Sequence, residues 1–209
     1  REIHVVPFGI DVQRFQPRPI PRPASHEVRL GTVKSMETKY GLEYLIRAYA
    51  LLRQRRPLLA SRLVIVGGGH LGDALKDLVR ELGLTETTDF VGRVEYENVH
   101  EYHQDLDIAI YPSIDNSESF GVSVVESQAC GVPVIVSRIG GLPEVIDRGE
   151  SGLVVPPRDP VAIADALEFL IDNPEVRAAF GRAGRARVLR DYSLPDCVQT
   201  LIGRYRQVV

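Results

Sequence analysis

Cysteine is scarce in this sequence, and its two cysteines form no recognisable pattern. Cys130 and Cys197 make neither a CxxC pair nor a Cys/His spacing typical of a metal site. Two isolated thiols also exclude the disulfide framework of a small secreted domain. We therefore expect a protein of a reducing, cytoplasmic compartment.

Long apolar runs and an excess of one charge are lacking as well. The longest apolar runs have the length of a strand, so they predict no transmembrane helix, and the beginning shows no signal-peptide pattern. A net charge of −3 with 25% charged residues argues against a nucleic-acid-binding coat or a disordered tail. The 209 residues, 44% of them hydrophobic, suffice for one substantial core. The chain starts at Arg1 rather than methionine, and we expect a piece of a longer protein.

Strand-like apolar runs alternate with amphipathic helical patterns along the chain. Strands are predicted at 3–6, 28–33, 62–66, 90–92, 108–111, 132–137 and 153–155. Helices are predicted at 41–56, 71–82 and 95–104, from 121 onward, and at 161–171, 175–189 and 194–209. Short Gly/Pro turns between them indicate parallel βαβ units, hence a doubly wound, Rossmann-like α/β sheet. We divide the chain into an N-terminal strand with a Pro-rich connecting loop (1–27), a Rossmann-like domain (28–192) and a C-terminal helix (193–209).

Ligands bind such sheets at the carboxyl ends of the strands. The segments predicted to lie there are polar and glycine-rich, and they carry two lysines: 34–39, 67–70, 91–94, 112–121 and 137–141. One edge of the sheet therefore gathers the candidate functional residues.

The stretch from Ser113 to Ser137 stands out at this edge. Its glycine-containing loop runs into a helix, whose free N–H groups and positive dipole end suit a phosphate. Glu126 lies about 7 Å further along the helix axis and leans back toward the N-terminus, where it could accept hydrogen bonds from a diol such as ribose. Glu118, in the loop, could meet a second polyol. The alternative is structural: Glu126 favours the helix dipole and Glu118 is solvated.

Glu118-Ser-Phe-Gly-Val-Ser-Val-Val-Glu126, followed by Ser-Gln-Ala-Cys-Gly-Val-Pro-Val-Ile-Val-Ser137, resembles the Glu-x7-Glu signature of family 4 retaining glycosyltransferases of the GT-B fold. Val6-Pro-Phe-Gly-Ile-Asp-Val-Gln-Arg-Phe15 is similar to the segment that begins the C-terminal domain of that family. Segments 31–46, 90–94, 140–146 and 152–160 also match in the same order. The resemblance covers essentially the whole chain and implies the C-terminal, donor-binding half of a GT-B enzyme.

The resemblance also implies roles for individual residues. Glu118, toward the transferred sugar, and Lys39, on the diphosphate, are the implied catalytic residues. The implied contacts to the donor diphosphate and sugar are Lys34, Lys39, Phe120, Gly121, Val122 and Ser123. The implied contacts to the nucleoside are Glu126, Val91, Arg93, Gly67 and Gly68. Lys34 stands where the family often has arginine, and it offers a point charge without the bidentate fork. Phe8 replaces the usual asparagine, and we assign it no function.

Several expectations about partners follow from the resemblance. The donor would be a nucleoside diphosphate sugar, used without a metal or other cofactor in the biosynthesis of a polysaccharide or glycoconjugate. The acceptor would be bound by a missing N-terminal domain, against which helix 194–209 would pack. The isolated chain would then bind nucleotide but transfer sugar poorly. No nucleic-acid partner is expected. The arginines between 177 and 190 allow peripheral membrane contact, although a solvated helix face is the simpler interpretation.

Three other functions stay open: a sugar-nucleotide epimerase of related fold, a non-catalytic nucleotide-binding module, and a phosphorylase, whose cofactor lysine motif we do not find.

Two motifs that resemble metal sites are not assigned a function. Asp105-Leu-Asp107 imitates a metal-nucleotide motif but is expected to mark a turn into the next strand. His100 and His103 have metal-pair spacing but are expected to be exposed. The base, the sugar, the acceptor and the oligomeric state are not identified by the sequence.

Overall fold

The computed structural model describes residues 5–19 and 27–206, and a six-stranded sheet organises them. Its strands are β1 (Val28–Val33), β2 (Ser61–Val66), β3 (Thr88–Gly92), β4 (Ile108–Tyr111), β5 (Val134–Ser137) and β6 (Gly152–Val155). The helices are α1 (Leu42–Arg55), α2 (Gly72–Glu81), α3 (Val99–Gln104), α4 (Val122–Ala129), α5 (Pro160–Asp172), α6 (Pro174–Asp191) and α7 (Leu194–Arg206).

All five strand pairings are parallel, in the order β3-β2-β1-β4-β5-β6. The chain winds outward from β1 through β2 to β3, then crosses back to β4 and winds the other way. The strand order therefore reverses between β1 and β4, where Leu30 is level with Ile108. The predicted doubly wound parallel sheet is confirmed.

Both faces of the sheet are covered, which explains why its strands read as continuous apolar runs. Alternate residues of β2 enter two different cores, because successive side chains of a strand point to opposite faces. Ile65 packs with α1, α2 and α5, whereas Val64 and Val66 pack with α4 and α6.

The N-terminal segment differs from its prediction. Ile3 and His4 lie outside the described residues, and Val5 and Val6 belong to no strand. Backbone pairing begins only at Ile10, whose N–H donates to the carbonyl of Tyr192 over 2.7 Å. This bridge joins the segment to the junction of α6 and α7 and not to the sheet. The strand predicted at 3–6 is therefore wrong for Val5 and Val6, the two of its residues that the structure describes. The three-part division of the chain stays a prediction.

Smaller differences concern element ends. The third strand begins at Thr88 rather than at residue 90, and the predicted helix at 95–104 is a 3₁₀ turn at Tyr96–Asn98 followed by α3. Within the described part of the chain, no helix is both long and apolar enough to span a bilayer.

Candidate functional site

The reversal of strand order opens a crevice at the carboxyl ends of β1 and β4. Lys34 directly follows β1, and Glu118 lies in the loop after β4. Their side chains meet across the crevice as an ion pair, with Nζ 3.0 Å from Oε2 and only 14% and 10% of the side chains exposed. The Ser113 hydroxyl also donates to Glu118, over 3.3 Å. Two residues 84 positions apart are thus neighbours because their strands are neighbours.

An aromatic ring supports both lysines. Lys34 Nζ lies 4.3 Å and Lys39 Nζ lies 5.0 Å from the centre of the Tyr40 ring, within the range of cation–π attraction. The two lysines differ in setting, since Lys34 points into the crevice and Lys39 is exposed at its rim. The backbone of Lys39 also accepts a hydrogen bond from Ile114 N–H over 2.9 Å, which ties the two loops together.

Helix α4 begins at the crevice with a glycine. Gly121 is the N-cap with φ of 81°, a left-handed conformation that side-chain-bearing residues rarely adopt. A Cβ atom there would also stand 2.6 Å from Leu142 Cδ2. Because the first N–H groups of a helix have no acceptor within the helix, those of Val122 and Ser123 are oriented toward the crevice with the positive end of the dipole.

Glu126 lies deeper on the same helix and is 3% exposed. Its Oε2 is 3.3 Å from His103 Nε2. Burial raises the pKa of the Tyr96 hydroxyl, and the neighbouring Glu126 carboxylate raises it further. Burial, and after it Glu126, likewise raises the pKa of the Cys130 thiol to about 12. The carboxylate thus sits in a largely desolvated place at the floor of the site.

A cleft of about 330 Å³ connects these groups, a size within the range of small-molecule sites. It is lined by residues at the ends of β1, β2 and β3, from the following 3₁₀ turn and α3, and from α4: Val33, Lys34, Ser35, Val66, Gly67, Gly68, Arg93, Val94, Tyr96, Val99, Val122, Ser123 and Glu126. Gly67 is required at the turn after β2, because a Cβ there would overlap the Lys34 carbonyl.

The cleft brings together seven of the twelve residues predicted for the site: Lys34, Gly67, Gly68, Arg93, Val122, Ser123 and Glu126. Glu118 adjoins them through Lys34. Of the other four, Gly121 caps α4, Lys39 stands at the rim and Val91 is 38% exposed. The Phe120 ring turns away and packs between Phe8 and Tyr192, with centroids 5.6 and 5.5 Å distant. The roles of all twelve remain predictions.

One interpretation of polar residues was wrong, and a second holds only in part. His103 was expected to be exposed but is fully buried beneath Glu126. The solvated face expected for the basic stretch of α6 holds for the exposed Arg182 and Arg190 but not for Arg185, which donates to the carbonyls of Phe15, Ala129 and Val12 over 2.6 to 3.0 Å. Arg187 pairs with Asp147 and is also largely buried. These arginines fasten the N-terminal segment and the loop after β5 to the domain, which removes them from any lipid-facing surface.

Asp105 and Asp107 lie at the opposite edge of the sheet, where β4 begins. Asp107 accepts from the Arg29 N–H over 2.8 Å, and Asp105 pairs with the Arg29 guanidinium over 2.9 Å. Asp107 therefore does mark the turn into β4. Among residues 5–19 and 27–206, no three His, Cys, Asp or Glu side chains are grouped to hold a metal ion.

The reasoning from sequence missed several residues of the site. These are His103, Tyr96 and Tyr40, none of which belongs to a hydrophobic periodicity. Tyr40 follows Lys39, and Tyr96 stands between two glutamates. An aromatic residue beside charged loop residues is the signal by which both could have been found.

The strand order and the position of the cleft define the chain as a Rossmann-like α/β domain of the kind that forms the C-terminal half of GT-B glycosyltransferases. The sequence places it more narrowly. The chain belongs to the family described as "Glycosyl transferases group 1", which matches residues 14–187.

Among its relatives is the D-inositol 3-phosphate glycosyltransferase of Saccharomonospora viridis, 34% identical over 220 residues that cover 99% of this chain and 50% of the relative. The solved sucrose-phosphate synthase of Thermosynechococcus elongatus has a TM-score of 0.85 and 28% identity, over 98% of this chain and 52% of the other. Anabaena HepE, solved in complex with UDP, has a TM-score of 0.83 at 19% identity, over 95% of this chain and 56% of the other, and so shows the fold alone. The chain spans about half the length of the curated relatives it matches.

Proposed function

We propose that this chain binds a nucleoside diphosphate sugar and serves as the donor-binding domain of a retaining glycosyltransferase. One observation carries the proposal. A buried Lys34–Glu118 pair, the N-terminus of α4 and the desolvated Glu126 stand side by side around one cleft at the switch point of the sheet.

The diphosphate fits the upper part of this arrangement. The free N–H groups of Val122 and Ser123 and the helix dipole favour an anion, and Lys34 adds a full positive charge. Lys39 at the rim can approach the same group, because both lysines share the Tyr40 ring. In the ligand-free chain Lys34 forms an ion pair with Glu118, so a diphosphate has to compete with this carboxylate for the lysine.

The nucleoside fits the deeper part. Glu126 is a buried carboxylate that lines the cleft, and vicinal ribose hydroxyls would supply it with two donors. The base would then reach the glycine turn at Gly67 and Gly68 and the backbone beside Arg93.

The chemistry that follows is departure of the diphosphate from C1 of the sugar. The C1–O bond breaks with both electrons on the phosphate oxygen, and Lys34, Lys39 and the α4 dipole stabilise the developing charge. The acceptor hydroxyl forms the new C1–O bond on the same face and gives its proton to the departing phosphate oxygen. Glu118, freed from Lys34, faces the sugar. The positive groups present would serve the leaving group without a metal.

The names of these proteins give a nucleotide for one neighbour and two different sugar or inositol phosphates for the other two. HepE is described as bound to UDP, whereas the two other proteins are named for an inositol phosphate and a sucrose phosphate product. We propose that the acceptor is held by a second domain. The chain alone should then bind nucleotide and release little sugar to any acceptor, and robust transfer by the isolated chain contradicts this part.

The proposal is tested by thermal melts with UDP, GDP and ADP and with their sugars. A nucleotide that binds only the folded state at a hundredfold excess over Kd raises the free energy of unfolding by about 2.7 kcal/mol, and the melting temperature rises with it. Glu126→Ala should abolish the shift, and Glu86→Ala on the distant β3-side surface should leave it unchanged. If no nucleotide shifts the melt, the proposal fails. Conversion of the donor sugar without any acceptor would indicate an epimerase instead.

A further inference from the structure

A buried histidine stands directly behind Glu126. His103, on α3, is fully inaccessible, and its Nε2 is 3.3 Å from Glu126 Oε2. Nε2 has no aligned hydrogen-bond acceptor among residues 5–19 and 27–206, so the carboxylate is the polar group it faces. The ring edge also contacts Phe15, at a centroid distance of 5.9 Å, which excludes water from this side.

A hydrogen on Nε2 would turn this close contact from a repulsive one into an attractive one. An unprotonated Nε2 presents a lone pair, and at this distance a lone pair repels a carboxylate oxygen. Neither atom can turn to water, since His103 is inaccessible and Glu126 is 3% exposed. Tyr96 already gives Glu126 one side-chain hydrogen bond, and a hydrogen on Nε2 would give this buried carboxylate a second donor in place of a lone pair.

The other ring nitrogen is held as well. His103 Nδ1 is 2.8 Å from the Ser127 hydroxyl, which lies 2.7 Å from the Tyr111 hydroxyl. Tyr111 in turn donates to the Ser123 carbonyl over 2.8 Å. Burial raises the pKa of Tyr111 well above its ordinary value, so its hydroxyl keeps its proton. Because the Tyr111 hydroxyl donates to the Ser123 carbonyl, the Ser127 hydroxyl donates to Tyr111 and accepts from His103 Nδ1–H. Nδ1 therefore carries a hydrogen, and a second hydrogen on Nε2 makes the ring an imidazolium beside the Glu126 carboxylate.

We propose that His103 is a positioning residue for the nucleoside subsite: its Nε2–H donates to Glu126, holds the carboxylate in place and leaves the second oxygen for the ligand. The role rests on the proposed function, because it assigns to Glu126 the contact with ribose. Tyr96 also hydrogen-bonds Glu126, but it is 54% exposed, whereas the fully buried His103 is held in place by its packing.

Two amide substitutions separate the two ring nitrogens. The amide nitrogen of Gln reaches the position of Nε2, whereas that of Asn reaches only the position of Nδ1. His103→Gln should therefore bind UDP within about threefold of the wild type, and His103→Asn should lose at least about tenfold. His100→Gln, one turn earlier on the same helix and not directed at Glu126, is the matched control. Equal losses in the Gln and Asn variants, or wild-type affinity in the Asn variant, overturn the proposal.

A second measurement needs neither ligand nor variant. Nitrogen-15 spectra of the histidine rings in the unliganded wild type report which ring nitrogen carries hydrogen. We expect His103 Nε2 to be protonated at pH 7, and a neutral ring protonated only at Nδ1 overturns the proposal. If UDP fails to bind the wild type, the proposed function fails, whereas the spectra still decide whether His103 donates to Glu126.

Discussion

The Lys34–Glu118 pair offers a sharp energetic test, because its two side chains are buried together at the centre of the site. We consider three variants: Lys34→Met, which keeps the length of the side chain, Glu118→Gln, which keeps its shape, and the double variant. At 3.0 Å the gross attraction is about 5.5 kcal/mol for an effective dielectric constant of about 20. Desolvation of both groups offsets most of this attraction.

The single variants should differ in cost. Lys34→Met leaves the Glu118 carboxylate with Ser113 as its remaining neutral donor, and we expect a loss of about 1–3 kcal/mol in the free energy of unfolding. Glu118→Gln should cost about 0.5–1.5 kcal/mol, since Lys34 keeps the Tyr40 ring and can extend toward water. The double variant removes both charges, so it should be no less stable than Lys34→Met alone.

Urea unfolding followed by circular dichroism measures these differences, with the m-values compared to confirm that the unfolded states are alike. Lys39→Met is the control, because Lys39 is exposed at the rim and should change stability by less than about 0.5 kcal/mol. The expected coupling energy between Lys34 and Glu118 is about 1–2 kcal/mol. Strictly additive costs would refute a buried, energetically coupled pair.

Three further results are expected. Gly121→Ala should cost about 1–3 kcal/mol in urea unfolding, from the positive φ and the Leu142 contact, and should weaken UDP binding; an unchanged variant contradicts the cap geometry. Arg185→Met should cost about 2–4 kcal/mol in the same assay, because three buried carbonyls lose a charged donor; a loss below about 0.5 kcal/mol argues against its role as a fastener. At pH 8, with its pKa at about 12, only about one Cys130 thiol in ten thousand is ionised, so alkylation should be far slower in the folded protein than in urea; equal rates contradict the burial.

The sequence was informative where a local pattern has one structural meaning. Ile108–Tyr111 is wholly apolar, and only a strand covered on both faces suits such a run between short turns. The alternation of such strands with helices leads to the parallel sheet, and the sheet leads to its carboxyl edge. The grouping of Lys34, Arg93 and Glu126 around one cleft could therefore be anticipated.

Contacts between distant elements could not be read in this way. The Lys34–Glu118 pair forms because β1 and β4 are adjacent in the sheet, and the sequence around either residue contains no signal for this adjacency. Arg185 was misjudged because its acceptors include carbonyls 170 and 173 positions away in the sequence. His103 lies in a short polar segment, and its burial results from the packing of α3 on α4. Long-range packing, rather than residue type, decided these cases.

The central claim is that the cleft at the carboxyl edge of the sheet binds a nucleoside diphosphate. Amide shift mapping in a ¹H–¹⁵N spectrum during titration with UDP tests it most directly. The largest changes should fall on Val122, Ser123, Gly67 and Gly68, and the amide of Asp107 at the opposite edge should not move. No shift at the α4 N-terminus with UDP in excess, or shifts centred on the opposite edge, would contradict the account.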